Sequence, residues 1–123
     1  ISQLKDVLYL FNRYRLIEYQ LTGENSNAKN LMTGTQNLNA NFEDEKSSMV
    51  YYENMVAHYI RLTNHHVRYR VTLLFKNIEM VARGVGMETQ SVEDNQISFD
   101  IYIFNVQSGY NINYLTRYSV KEN

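Results

Sequence analysis

The chain has 123 residues, 12 lysines and arginines against 13 aspartates and glutamates, and a formal charge of −1. This fits one small domain with a single core and lacks the strongly basic balance of a dedicated nucleic-acid-binding domain. Hydrophobic residues at 44% and charged residues at 20% exclude extended disorder, the lack of cysteine excludes disulfides and thiolate metal centres, and no apolar run is long enough to span a membrane.

In chain order, residues Ile1 to Leu10 carry Lys5 and Asp6 and do not read as a signal peptide. Val7 to Phe11 is a short apolar run of strand formers, followed by Asn12 to Ile17. Leu21 to Asn30 is polar and reads as a loop, and Gly34 leaves Lys29 to Leu38 without a clear period. A helix is expected from about Ser47 to Leu62. Ser47 or Ser48 is placed to cap it, Met49, Tyr52, Val56, Tyr59 and Ile60 fall on one face, and Asn64 stops it.

Beyond Asn64 the period becomes two. His66 to Phe75 alternates, with Val67, Tyr69, Val71, Leu73 and Phe75 on one side and Arg68 and Arg70 on the other. Met80 to Val92 is a second strand, where Gly84 and Gly86 mark a bulge or a close backbone approach. Glu93-Asp94-Asn95-Gln96 reads as a turn, Ile97 to Val106 as a third strand, Ser108-Gly109 as a turn and Asn111 to Val120 as an edge segment. The fold class is therefore α+β: an antiparallel β-sheet with a helix packed on one face. The 11 tyrosines fit half-buried β surface or a recognition face. Arg61, His65, His66, Arg68, Arg70, Lys76 and Arg83 crowd one stretch, whereas Glu43, Asp44 and Glu45 form an acidic run.

The run Asn12-Arg13-Tyr14-Arg15-Leu16-Ile17-Glu18-Tyr19-Gln20-Leu21-Thr22-Gly23-Glu24-Asn25 resembles the active-site segment of DNA/RNA non-specific endonucleases of the ββα-metal type, streptococcal secreted DNases among them. The likeness continues in order through Lys29 to Thr35, Asn39, Tyr52 to Ala57, His66 to Thr72, Val81 to Val85, Ser91 to Asn95, Tyr102 to Gln107 and Ile112 to Tyr114. It implies a single nuclease-like domain over residues 1–123, without the N-terminal region usual in the family. It also implies chemistry in which a histidine ending the first strand activates water and an asparagine anchors hydrated Mg²⁺.

Carried over residue by residue, the metal asparagine is Asn39, Glu53 matches a glutamate near the metal, and Arg13 matches the arginine beside the base. The histidine position is Arg15, and a guanidinium stays protonated and cannot take a proton from water. Tyr14 stands where a small residue is usual and Glu18 where glycine is usual. The other histidines fit the base role poorly. His58 lies five helical residues from Glu53, about 140° around the helix. His65 and His66 point to opposite strand faces, His65 being expected at the surface and His66 in a structural place.

The sequence thus reads as a catalytically degenerate nuclease homologue that binds a nucleic-acid or protein partner, with Arg13, Tyr14, Arg68 and Arg70 as candidate contacts. By analogy with nucleases of phages and toxin systems it would be an inhibitor or regulator. The alternatives are an active Mg²⁺-dependent phosphodiesterase or an inactivated variant of one, and an assembly domain pairing as a homodimer through an exposed strand. The compartment stays open: secreted if the chain follows bacterial relatives, host cytoplasm if it is phage-encoded.

Overall fold

A computed structural model describes residues 11–15 and 31–122, and for Asn12, Arg15 and Leu31 the description is of the backbone. The expected loop 21–30 and residues 7–10 of the first apolar run lie outside the described residues. The first strand, β1, spans Phe11–Arg15 and pairs antiparallel with β2, Leu31–Thr35, in a two-stranded ribbon that sets Arg13 opposite Thr33 and Arg15 opposite Leu31. A short helix, α1 (Gln36–Asn39), follows at once, and the Thr35 hydroxyl caps it by accepting from the Leu38 N–H at 3.1 Å. The ambiguous stretch 29–38 thus resolves into a strand and a helical turn.

The long helix, α2, spans Met49–Thr63. Neither serine caps it through its side chain. Ser48 holds the N-cap position, but its hydroxyl turns back to donate to the Glu45 carbonyl at 2.8 Å, closing a 3₁₀ turn at Glu45–Ser47. Asn64 ends the helix in the left-handed region at φ 57°, its N–H bonded to the Ile60 carbonyl.

The central sheet is antiparallel in the order β3 (Val67–Leu74), β4 (Gly84–Ser91), β5 (Ser98–Phe104). Alternation decides its faces. Tyr69, Val71, Leu73, Val85, Met87, Phe99, Ile101 and Ile103 turn inward, where Met32, Leu38 and Met49 from the ribbon and helices join them in the core. Tyr14, Tyr52 and Tyr69 also pack on this core, so these tyrosines are structural. Register runs unbroken past both glycines, so there is no bulge. Gly84 instead permits a close approach: a Cβ there would stand 2.5 Å from the Ile103 carbonyl oxygen and 2.6 Å from the Tyr102 ring. The expected edge segment at 111–120 is a separate two-stranded ribbon, β6 (Tyr110–Ile112) with β7 (Ser119–Lys121). Gly109 at φ 82° leads into β6.

The β1–β2 ribbon and the central sheet are joined through side chains. Asn105 is fully buried. Its Oδ1 accepts from the Thr35 N–H at 2.9 Å, its Nδ2 donates to the Ala82 carbonyl at 3.0 Å, and its own carbonyl accepts from Tyr114 Oη at 2.6 Å. Thr35 Oγ1 donates to the Val106 carbonyl at 2.6 Å, and Asn37 exchanges two bonds with Gln107 and Ser108. No described helix is long and apolar enough to cross a membrane.

Candidate metal and nucleic-acid site

Arg15 is the last residue of β1, the strand-end position expected from sequence. Two residues earlier Arg13 is exposed, with no carboxylate partner among the described residues. Tyr14, between them, is half-buried and packs against the core. Asn39 ends α1 and is half-buried. Leu38, fully buried, fixes the turn that presents it. Among the described residues the Asn39 carboxamide makes no hydrogen bond, which leaves its oxygen available to a ligand.

Glu53 lies on the inner face of α2 beside Met49 and Val56, only 1% exposed. A carboxylate is held at such a place only with compensating charge or donors. Because α1 packs against β1, β2 and α2, the elements carrying Arg15, Asn39 and Glu53 adjoin one another.

Arg68 and Arg70 belong elsewhere. Both lie on the outer face of β3, opposite the face that packs on the helices. Arg70 Nε bonds Glu88 Oε2 at 2.6 Å, and this pairing holds the Glu88 carboxyl below its ordinary range. The structure therefore does not bring these two arginines into one site with Asn39.

The histidines are also rearranged from expectation. His65 is the structural one: its Nδ1 is 2.9 Å from Asp94 Oδ2 and 3.1 Å from Tyr59 Oη. The His66 side chain is 82% exposed, its Nδ1 2.8 Å from Glu93 Oε2. His58 is exposed on the outer side of α2, in an apolar groove of about 520 Å³ between that helix and the 40–45 loop. The acidic run Glu43 to Glu45 adjoins this groove and makes it a poor seat for phosphate.

A different cleft sits beside β1. Arg13, Thr33, Phe75 and Met80 line it together with buried Met32, Val81 and Ala82, and its volume is about 180 Å³. The sequence signal for it was weak. Phe75 reads as the end of an alternating strand, whereas β3 stops at Leu74 and leaves that ring at the surface.

No group of three or more His, Cys, Asp or Glu able to hold a metal occurs among the described residues. Zinc-type sites need such sets. Mg²⁺ keeps several waters and takes few protein ligands, and a lone carboxamide oxygen such as that of Asn39 suits it.

Residues 3–93 match the family model described as DNA/RNA non-specific endonuclease. A search of curated proteins gave no match. Among solved structures, the chain is similar to Sda1 nuclease with bound zinc ion, with 36% identity and TM-score 0.77, covering 86% of this chain and 42% of that one. It is also similar to NucA from Streptococcus agalactiae with magnesium bound, with 28% identity and TM-score 0.79, covering 92% and 55%. An extracellular nuclease at 21% identity and TM-score 0.78 shares the fold. The chain thus spans about half the length of the first two.

Proposed function

Because this chain belongs to the DNA/RNA non-specific endonuclease family, we propose that it is a degenerate member that binds nucleic acid but lacks the base for hydrolysis. Arg15 carries this reading. It ends β1 at the position where the resemblance puts the water-activating histidine, and a guanidinium offers no lone pair to a proton at any relevant pH. The three histidines of the chain offer no replacement. His65 and His66 are engaged by Asp94 and Glu93, and His58 faces the groove on the far side of α2 from Glu53.

Asn39 would hold Mg²⁺ through its carboxamide, which makes no hydrogen bond among the described residues. When bound, the ion supplies positive charge to a phosphate and its leaving oxygen. Arg13 contacts and orients phosphate through a planar fork of donors, and Arg15 adds a second fixed charge at the strand end. The chain's own residues thus bind and neutralise phosphate but move no proton. General-base catalysis is typically worth about 10²–10⁴-fold, and its absence leaves binding as the surviving activity.

The test is plasmid cleavage with Mg²⁺ against EDTA, on the wild type and on Arg15→His. The expected result is no Mg²⁺-dependent cleavage by the wild type, with salt-sensitive DNA binding retained, and a gain of roughly 10²-fold or more in Arg15→His. Mg²⁺-dependent cleavage by the wild type, abolished in Asn39→Ala, would show an active endonuclease instead.

A further inference from the structure

The outer face of the central sheet is open. Every alternate residue from Arg68 to Leu74 on β3 and from Ser98 to Phe104 on β5 is exposed. An antiparallel sheet commonly leaves one face to water, and that face is then polar. Here one end of it is apolar. Leu74 is 36% exposed, Tyr102 41% and Phe104 62%, and the two rings pack edge to face at 4.6 Å. Exposed apolar residues scattered singly are ordinary, but a contiguous group beside charged residues marks a contact surface.

Glycine shapes the middle strand. The Tyr102 ring lies across Gly84, where a Cβ would stand 2.6 Å from it, and the nearest atom to a Cβ at Gly86 is a Leu74 methyl at 3.7 Å. β4 is therefore low at the apolar end of the face, which leaves room for side chains of a second layer. At the other end, Arg68, Arg70, Glu88 and Asp100 help to line a shallow concavity of about 660 Å³.

Charge indicates the occupant. Arg70 is bound to Glu88, whereas Arg68 and Asp100 make no ion pair among the described residues. The β3 edge of the face is thus basic and the β5 edge acidic. Strand register aligns Arg70, Glu88 and Asp100 on one rung, and Leu74, Gly84 and Phe104 on another. A second copy turned about a two-fold axis along β4 lays its β3 over the β5 of the first, rung upon rung. Its Arg70 then stands over Asp100 with its Arg68 one rung away, and its Leu74 stands over Phe104. The relation is reciprocal, as an isologous contact requires. The two Glu88 carboxylates fall at the axis, each neutralised by the Arg70 of its own chain at 2.6 Å.

We propose that the chain forms a two-fold homodimer in which the outer faces of two β3–β4–β5 sheets pack together, about 10 Å apart as stacked sheets are. Leu74, Tyr102 and Phe104 of both copies form its apolar centre, and Asp100 meets the partner copy's basic edge. The dimer does not depend on whether the chain holds nucleic acid.

The experiment is sedimentation equilibrium of the full chain from micromolar to millimolar concentration, at low and high salt. The wild type is expected to dimerise, more weakly as salt rises. Phe104→Asp should weaken the dimer about 30-fold or more. Asp100→Lys should weaken it and reverse its salt dependence, because the facing edges then repel. Both side chains are exposed, and circular dichroism melts confirm folding of each variant. A second measurement uses Gln90→Cys, the sole cysteine in the chain and a position on the axis. A bis-maleimide spanning about 10 Å should join two copies through it. A wild type that stays monomeric at millimolar concentration overturns the proposal, and shielding of Tyr102 and Phe104 from hydroxyl radicals in that monomer would give the face to a segment of the same chain. A dimer that Phe104→Asp leaves intact and that Gln90→Cys fails to link assembles through another surface, such as an edge strand, and equally overturns it.

Discussion

Tyr59 donates a hydrogen bond to Asp94 Oδ2 across 2.6 Å, and the same oxygen lies 2.9 Å from His65 Nδ1. This fastens the last turns of α2 to the β4–β5 turn. The Tyr59 hydroxyl is the main reason the Asp94 carboxyl sits well below the usual carboxylate range, with the Gln96 N–H helping. A depressed folded value contributes stability that is present above the unfolded value of about 3.9 and is lost as pH falls through and below it. Asp94→Asn should therefore flatten the acid limb of the stability–pH curve, as read by urea melts from neutral to acid pH. Tyr59→Phe should lower the melting midpoint at neutral pH by roughly 3–6 °C. An unchanged acid limb in Asp94→Asn would show that the contact does not govern it.

Gly84 and Gly86 separate cleanly in space. At Gly84 a methyl group would meet the backbone carbonyl of Ile103, which is fixed in the β4–β5 ladder, whereas at Gly86 the nearest atom is a Leu74 methyl at 3.7 Å. Gly84→Ala should cost about 2–3 kcal/mol, as overpacking does, and Gly86→Ala should stay within about 0.5 kcal/mol of wild type. Denaturant melts of the pair check this, and equal effects would contradict the steric account.

Asn105 bridges Thr35, Ala82 and Tyr114 from a fully buried position. Asn105→Ala strands the Thr35 N–H and the Ala82 carbonyl in the interior, at a cost of about 2–4 kcal/mol. Thermal melts and the exchange rate of the Thr35 amide proton report it. A melt within about 0.5 kcal/mol of wild type would mean water replaces the side chain.

Millimolar Mg²⁺ should raise the melting midpoint of the wild type by mass action. Asn39→Ala should abolish that rise while leaving the midpoint in EDTA within about 1 kcal/mol of wild type. Identical wild-type melts with and without Mg²⁺ would remove the ion from this chain's repertoire.

Period and punctuation carried most of the scaffold. Alternation from Val67 to Leu73 placed β3 and its buried face, and Asn64 marked the end of α2, because both are local properties of the backbone. The site was legible only in part. Position 15 at a strand end and Asn39 on the following helix came from a motif, not from periodicity. Arg68 and Arg70 looked like site residues because charge clusters along the chain, yet alternation puts them on the outer face of the sheet. What each of the two adjacent histidines engages depended on where Asp94 and Glu93 turn back, a long-range fact. Glu53 occupies a helix position that an amphipathic reading leaves among its apolar neighbours without explanation, since burial of a carboxylate is decided by its surroundings.

The ribbon carrying Arg13 and Arg15 shares no backbone ladder with the central sheet among the described strands. Its height above the core is set by the segment 105–108, through Asn105, Val106, Gln107 and Ser108. Asn105 also donates to the Thr33 carbonyl at 3.4 Å, and Met32 and Tyr14 seat the ribbon in the common core, so side chains rather than a strand pairing hold it to the scaffold. A substitution in residues 105–108 should therefore shift the ribbon against the sheet without breaking a strand pairing, and with it the phosphate contacts proposed above.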